Sequence, residues 1–177
     1  MKEVKIRYAT KNDAEMLADL SWRTFFDAFA EHPKNAPDDL KAYMDSAFNA
    51  EQISRELSDE KAIFLVAEIE GEIAGYAKLL LDAIEPGVTA KSPIELCRLY
   101  SEQKFLGKGV GAALMQRCLD EAKRRERDVM WLGVWEYNPR AQAFYRKWKF
   151  EECGSHVFQL GNDPQTDLLM QRRVNLK

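Results

Sequence analysis

The sequence predicts a single α/β domain spanning residues 1–177, with the element order β-α-α-β-β-β-α-β-α-β-β. Three observations lead to this fold class. Segments that alternate as strands do are interspersed with segments of helical periodicity. A glycine-rich loop joins a predicted strand to a predicted helix near residue 107. The length of 177 residues and the hydrophobic content of 46% suit one domain with a substantial core.

The predicted strands are short apolar or alternating segments bounded by turn residues. They cover 4–9, 62–70, 72–81, 94–100, 129–135, 150–160 and 166–173. Gly71 separates the second strand from the third, which predicts a hairpin. The turn Gly161–Pro164 predicts another hairpin at the end of the chain.

Four helices are predicted from capping residues and apolar stripes. The first follows the potential caps Thr10, Asn12 and Asp13, and the second runs from Asp38 to about Leu57. The third extends from about residue 110 to 125. The fourth begins at Asn138-Pro139, a helix cap followed by proline at the first helical position.

The segment from Leu106 to Gly111 is the strongest local signal for binding. Gly107, Gly109 and Gly111 alternate in it, and glycine lets a backbone bend tightly and approach a ligand closely. A helix that starts after such a loop offers free N–H groups and a positive dipole end, which suit a phosphate. The spacing matches neither a dinucleotide-binding fingerprint nor a P-loop. By itself the loop is equally compatible with a tight turn into a core helix.

Composition narrows the functional classes. No signal peptide and no membrane-spanning apolar run is predicted, and three scattered cysteines (97, 118 and 153) indicate neither disulfides nor a metal site. We therefore expect a cytoplasmic protein. Residues 1–90 hold 10 Lys and Arg against 18 Asp and Glu, a net charge of −8, whereas residues 91–177 hold 16 against 11, a net +5. The halves could attract a cation and a polyanion respectively.

Two motifs resemble the GNAT family of N-acetyltransferases, which use acetyl-CoA. Leu106-x-x-Gly109-x-Gly111 resembles the family signature Gln/Arg-x-x-Gly-x-Gly/Ala, and residues 138–147 resemble its second CoA motif. By element order the resemblance covers nearly the whole chain. It implies the GNAT fold, a mixed, mostly antiparallel and twisted sheet of six to seven strands flanked by four helices.

A nearer resemblance, to PaiA-like polyamine acetyltransferases, is carried by residues 131–136, 154–158 and 165–170. It implies acetyl-CoA as co-substrate and a small amine as acceptor, with spermidine or spermine as best candidates. Alternatives are another amine (an amino acid, an antibiotic or a protein N-terminus), an acyl-CoA-sensing or DNA-binding regulator, or an inactive CoA-binding subunit. The negative net charge argues against nucleic acid. No membrane partner is expected, and a homodimer is the default expectation.

The resemblance also implies the site residues. It places the pantetheine arm along Leu99, Tyr100 and Ser101. The pyrophosphate is assigned to Leu106, Gly107, Lys108, Gly109, Val110 and Gly111, and the rest of CoA to Asn138, Arg140, Tyr145 and Lys147. Tyr145 is the expected acid for the leaving thiolate. Glu95 is the favoured base, with Glu136 or a water relay as alternatives.

Other side chains receive more modest interpretations. His156 is interpreted as a structural histidine and His32 as a loop residue. The acidic residues Asp27, Glu31, Asp38 and Asp39 are expected near the acceptor and favour a polycation.

The chain departs from the family pattern at two positions. Leu106 replaces the usual Gln or Arg and removes one phosphate contact. Lys149 replaces a glycine that often ends the last helix, where a left-handed residue other than glycine is strained.

Overall fold

The computed structural model describes residues 3–174, which form one seven-stranded mixed sheet in the order β1-β2-β3-β4-β5-β7-β6. The strands are β1 (Lys5–Tyr8), β2 (Ala62–Ile69), β3 (Glu72–Leu81), β4 (Pro93–Ser101), β5 (Val129–Trp135), β6 (Glu151–Leu160) and β7 (Asp163–Arg173). β4 and β5 pair in parallel, and the other neighbouring strands of the described chain pair antiparallel. The predicted fold class is confirmed.

Helices cover both faces of the sheet. They are α1 (Ala14–Phe29), α2 (Pro37–Ala47), α3 (Ala50–Leu57), α4 (Val110–Arg124) and α5 (Pro139–Lys147). The main core lies between the sheet and α4, with α5 packed at its edge, and contains Leu114, Met115 and Cys118. Smaller clusters under α1, α2 and α3 cover the opposite face. Within residues 3–174 no helix is both long and apolar enough to cross a membrane.

The predicted second helix is in fact two helices. α2 ends at Ala47, and the backbone of Phe48 leaves the helical region. Asn49 then caps α3 by accepting a hydrogen bond of 2.9 Å from the Gln52 amide. Phe48 is only 4% exposed and packs among the aromatic side chains of α1 and α2. Burial of this ring and the side-chain cap together favour the break. The prediction of one helix from Asp38 to Leu57, and of four helices overall, was therefore wrong.

β4 and β5 separate soon after they begin to pair. Their register covers three residue pairs and ends with Glu95 opposite Trp131. Beyond this point β4 stays bonded to β3 and β5 stays bonded to β7. The edge of β4 from residue 96 to 101 is consequently free of β5, and the sheet opens into a cleft.

A β-bulge at Cys97, near the start of this cleft, changes which side of the sheet the following side chains of β4 face. Lys78 of β3 pairs with Arg98, whereas the next residue, Leu79, pairs with Leu96. The extra residue lets both Leu96 and Leu99 face the core under α4, although a regular strand would place them on opposite faces. Cys97 and Arg98 are left at the cleft.

α5 ends in a Schellman motif built on an unfavourable residue. The Phe150 amide donates to the Tyr145 carbonyl (3.1 Å) and the Lys149 amide to the Arg146 carbonyl (3.0 Å), while Lys149 has φ 65°. This geometry is the one in which glycine is preferred, because a Cβ is strained there. The expected departure at Lys149 is therefore present in the backbone.

Replacing Lys149 with glycine should stabilise the protein. Removal of the Cβ strain should raise the free energy of unfolding by ~1 kcal/mol, or the melting temperature by about 2–4 °C. The matched control is Lys149→Ala, which deletes the same long side chain but keeps the Cβ. Calorimetry that gave equal melting temperatures for the glycine and alanine variants would contradict this account.

Candidate functional site

A cavity of about 700 Å³ occupies the cleft between β4 and β5 and reaches both faces of the sheet. One half, here called the loop half, is bounded by the glycine loop and by the starts of α4 and α5. The other, the acidic half, is bounded by α1, α2 and the β6–β7 hairpin. The cavity therefore connects two differently built pockets through the split sheet.

The glycine loop leaves the loop half open to a ligand backbone. Gly107 and Gly109 have φ of 76° and 88°, and a Cβ built on either would have no atom within 4 Å. Gly109 precedes the first residue of α4, whose first-turn amides have no acceptor within the helix. Leu106, Val110 and Gly111 also line the cavity. Such a surface of free N–H groups fits a pyrophosphate.

Lys108 and Lys147 do not line the cavity. The ammonium of Lys108 lies 5.2 Å from the centre of the Phe105 ring. Lys147 is exposed in the last turn of α5. Leu99, Tyr100, Ser101, Asn138 and Arg140, by contrast, all line the cavity.

α5 is fixed to the end of β5 by two side chains. The Asn138 carboxamide oxygen accepts a hydrogen bond of 3.0 Å from the Ala141 amide and caps the helix. Gln142, only 7% exposed, donates to the carbonyls of Trp135 (3.2 Å) and Glu136 (2.9 Å). These contacts fix the start of α5, the helix that carries Tyr145 to the cavity wall.

Tyr145 combines a packed ring with a free hydroxyl. Its ring meets Phe144 and Phe150 edge-on at 5.5 and 5.9 Å between centroids. Its hydroxyl makes no hydrogen bond to any residue of the described part of the chain, and Tyr145 lines the cavity. Burial raises the pKa of Tyr145 well above its ordinary value, so the phenol is neutral and able to donate a proton.

Glu95 lies behind the cleft, in the last residue pair that β4 shares with β5, and does not line the cavity. Burial raises the pKa of Glu95, although the neighbouring Cys97, Lys78 and His156 oppose the shift. Glu136 is exposed at the end of β5 and is also absent from the cavity wall.

The acidic half has an aromatic wall and two carboxylates. Its rings are Phe25, Phe29, Tyr43, Phe48, Trp135 and Phe158. Asp27 of α1 and Asp167 of β7 are the acidic side chains on this wall. Of the four acids expected near the acceptor, Asp27 alone lines the cavity. Asp167 was missed, because nothing in the apolar run that follows it marks it as a site residue.

Arg98 also lines the acidic half, where its guanidinium shares the Glu56 carboxylate with Lys78. The guanidinium donates twice to the Glu56 carboxylate, at 2.8 and 3.1 Å, and Lys78 lies 3.0 Å from the same carboxylate. Burial would raise the pKa of Glu56, but the two cations hold it below its ordinary value. The three side chains form a buried ionic cluster that joins α3 to the sheet.

The loop between α1 and α2 and the first turn of α2 are both hydrogen-bonded to the β6–β7 hairpin. The buried Asn35 accepts a hydrogen bond of 2.8 Å from the Gln165 carboxamide. The Asp39 carboxylate accepts one of 2.8 Å from the Asn162 amide. Asp39 thus holds a structural contact instead of facing the cavity. His32, in the loop between α1 and α2, packs its ring edge-on against Trp135, with 4.5 Å between the ring centroids.

Among the described residues, no group of three or more His, Cys, Asp or Glu side chains is arranged to hold a metal ion. The three described cysteines are free thiols.

The chain is similar to known acetyltransferases. A model of the acetyltransferase (GNAT) family matches residues 14–150. An uncharacterized N-acetyltransferase from the pepI 3′ region of Lactobacillus delbrueckii subsp. lactis is 30% identical over 174 residues, which are 98% of this chain and 99% of that protein.

Solved structures are similar in fold. The PaiA N-acetyltransferase of Thermoplasma acidophilum, in complex with coenzyme A, gives a TM-score of 0.74 at 19% identity and covers 97% of this chain and 99% of its own. The structure of yncA from Salmonella typhimurium with its cofactor acetyl-CoA gives a TM-score of 0.65 at 22% identity. The match covers 98% of this chain and 95% of that one.

Proposed function

The chain belongs to the acetyltransferase (GNAT) family, and from that premise we propose that it acetylates a small polycationic amine, with spermidine or spermine as the best candidates. It is an N-acetyltransferase, and acetyl-CoA is its co-substrate. The observation that carries the proposal is the single cavity that joins an anion-binding glycine loop to an acidic, aromatic pocket. The whole chain would act as one N-acetyltransferase domain.

The loop half fits the charged part of acetyl-CoA. The residues proposed to hold the pyrophosphate are those of the loop from Leu106 to Gly111, through backbone amides that a side chain would obstruct. Asn138 and Arg140 are proposed to contact the rest of CoA, and the free edge of β4 at Leu99, Tyr100 and Ser101 to bind the pantetheine arm as an added strand. When bound, acetyl-CoA supplies an activated acetyl thioester.

Lys108 and Lys147 retain a weaker role in this proposal. Both lie outside the cavity wall, so they would act only as nearby positive charges for CoA phosphates. Tyr145 is proposed as the acid that protonates the departing thiolate, since its neutral hydroxyl faces the cavity. Glu95 as the base would need an intervening water, because it does not line the cavity.

The acidic half supports a cationic acceptor. Aromatic faces and carboxylates both attract ammonium groups, and Asp27 and Asp167 give two such carboxylates in the lining of this cavity. The one cation of this half, among the described lining residues, already donates to Glu56. The hydrogen bond between Asn35 and Gln165, which both line the pocket, favours a slender molecule over the terminus of a folded protein.

The proposed function can be tested with a thiol-release assay that offers acetyl-CoA and a panel of amines. Spermidine and spermine should be turned over faster than monoamines, amino acids, an aminoglycoside or peptides. Raising the ionic strength from ~0.05 to ~0.5 M should raise the spermidine KM several-fold and a monoamine KM much less, because screening acts on every extra charge. A spermidine KM that ignores salt, or faster turnover of a neutral-tailed amine, would remove the polyamine assignment.

Replacing Gly109 with valine should weaken acetyl-CoA binding. Valine is strained at φ 88° and its branches would occupy the open side of the loop, so the dissociation constant should rise by more than about tenfold. The matched control is Gly71→Val, which has the same kind of backbone (φ 82°) and equally open surroundings but lies in the β2–β3 turn. Calorimetric titration that found both variants binding normally would reduce residues 106–111 to a turn.

Replacing Tyr145 with phenylalanine should slow turnover without weakening binding. The ring contacts with Phe144 and Phe150 remain, so stability and acetyl-CoA affinity should stay close to those of the wild type. Loss of the acid should reduce kcat about 10²-fold. An unchanged single-turnover rate would return Tyr145 to a packing role.

A further inference from the structure

Asp167 and His156 form a pair of titratable side chains on neighbouring strands. They are directly opposite in the β6–β7 register, and the Nε2 atom of His156 is 3.8 Å from the Asp167 carboxylate. The Nδ1 atom of the same ring is 3.8 Å from the carboxylate of Glu85, on the loop before β4. The exposed side-chain fraction rises from 15% at Asp167 to 27% at His156 and 38% at Glu85. The imidazole thus stands between a carboxylate on the cavity wall and one at the surface.

The absence of a side chain at Gly133 leaves room for His156 and Asp167 next to β5. A Cβ at Gly133 would lie 3.0 Å from His156 Nε2 and 3.2 Å from Asp167 Oδ2. Alternation along β5 puts Trp131 and Trp135 on the same side as this gap. Since Trp131 belongs to the last residue pair shared with β4, Gly133 is two residues into the split. The Asp167 carboxylate therefore lies on the cavity wall beside Gly133, where β5 has separated from β4.

Asp167 differs from Glu95 in access to that cavity. Asp167 and Gly133 both line the cavity. Glu95 does not line it and lies in the last residue pair before β4 and β5 separate. An acceptor that enters through the acidic half meets the Asp167 carboxylate without a bridging water.

Building on the proposed acetyl transfer, we propose that Asp167 binds the reacting ammonium group of the acceptor and takes its proton, and that His156 is a positioning residue for Asp167. The Asp167 carboxylate receives one proton and leaves a neutral amine. The amine lone pair then forms the C–N bond at the thioester carbonyl carbon, and the C–S bond breaks with its electron pair on sulfur. The sulfur takes a proton from Tyr145.

Two proton transfers return Tyr145 and Asp167 to their starting states. The acylated nitrogen loses its second proton, which restores the Tyr145 hydroxyl through solvent. The proton on Asp167 leaves past His156 and Glu85 as the one proton released per turnover. No oxidant or further reactant is needed.

The surroundings of Asp167 suit a base that works near neutral pH. Burial raises the pKa of Asp167 to about 6, and His156 opposes that shift. Glu85 faces the other side of His156, while Glu95 on β4 and Tyr43 on α2 are the other titratable neighbours. Because a raised pKa keeps the carboxyl protonated at lower pH, its basic form appears only as the pH rises through about 6. The kcat/KM for the amine should rise over the same range.

The test compares Asp167→Asn with Glu95→Gln. The Asp167 variant should lose about 10²- to 10³-fold in kcat with spermidine and lose the rise near pH 6, with acetyl-CoA affinity unchanged. Asp120→Asn, on the exposed side of α4, is the matched control and should leave both unaltered. An aminooxy analogue of a diamine, whose reacting nitrogen is uncharged near neutral pH, should restore most of the lost rate, because it needs no base.

His156→Gln separates positioning from structure. Without the imidazole, less opposes the raised pKa of Asp167, so the rise in kcat/KM should move to higher pH while melting temperature changes little. A His156 variant whose profile coincides with the wild type would remove the positioning role.

Binding of the amine at Asp167 can be measured without acetyl-CoA, and therefore separately from acetyl transfer. Carboxyl 13C NMR of aspartate-labelled protein should show Asp167, identified by its loss in Asp167→Asn, titrating at about 6 and shifting on addition of spermidine. A large loss in Glu95→Gln with little in Asp167→Asn would overturn the inference and leave the acetyltransferase intact. If the wild type acetylated no amine, the proposed function would fail, and an Asp167 signal indifferent to spermidine would overturn the amine site as well.

Discussion

The separation of β4 from β5 is the constraint on which the rest of the site depends. The two strands are parallel and joined through α4, so their carboxyl ends emerge together on the same edge of the sheet. After three pairs each strand follows its antiparallel partner, β3 on one side and β7 on the other. Twist between the two half-sheets then carries the strands apart. The gap leaves backbone groups of β4 free and lets one cavity pass between the helical layers.

A buried ionic cluster lies next to the point where the two strands separate. Glu56, Lys78 and Arg98 bring α3, β3 and β4 together at the point where β4 loses its second partner. A buried ionic cluster is costly to desolvate, and removing one member leaves the others unmatched. Its value here is geometric: it fixes the bulged strand, and the pairing with Glu56 holds the Arg98 guanidinium in place on the wall of the cavity.

The sequence was most informative where local patterns decide the structure. The strand 129–135, the capped helix after Asn138 and the glycine loop before α4 all follow from spacing and capping, and they are found as predicted. The break at Phe48 was missed although Asn49 is a good cap, because apolar periodicity continues through it. Asp167 could not be identified because its place depends on a glycine 34 positions earlier, on a neighbouring strand. Long-range register and a missing side chain are invisible to a one-dimensional pattern.

The bulge at Cys97 has a chemical consequence. It leaves a thiol on the wall of the same cavity, where a free thiolate could compete with an amine for an acyl group. Burial raises the pKa of Cys97, and the adjacent Glu95 carboxylate raises it further. Only the thiolate is an effective nucleophile, so the protonated sulfur is a poor one. The buried, protonated Cys97 is therefore a poor acceptor for an acyl group, although it lies on the wall of the cavity.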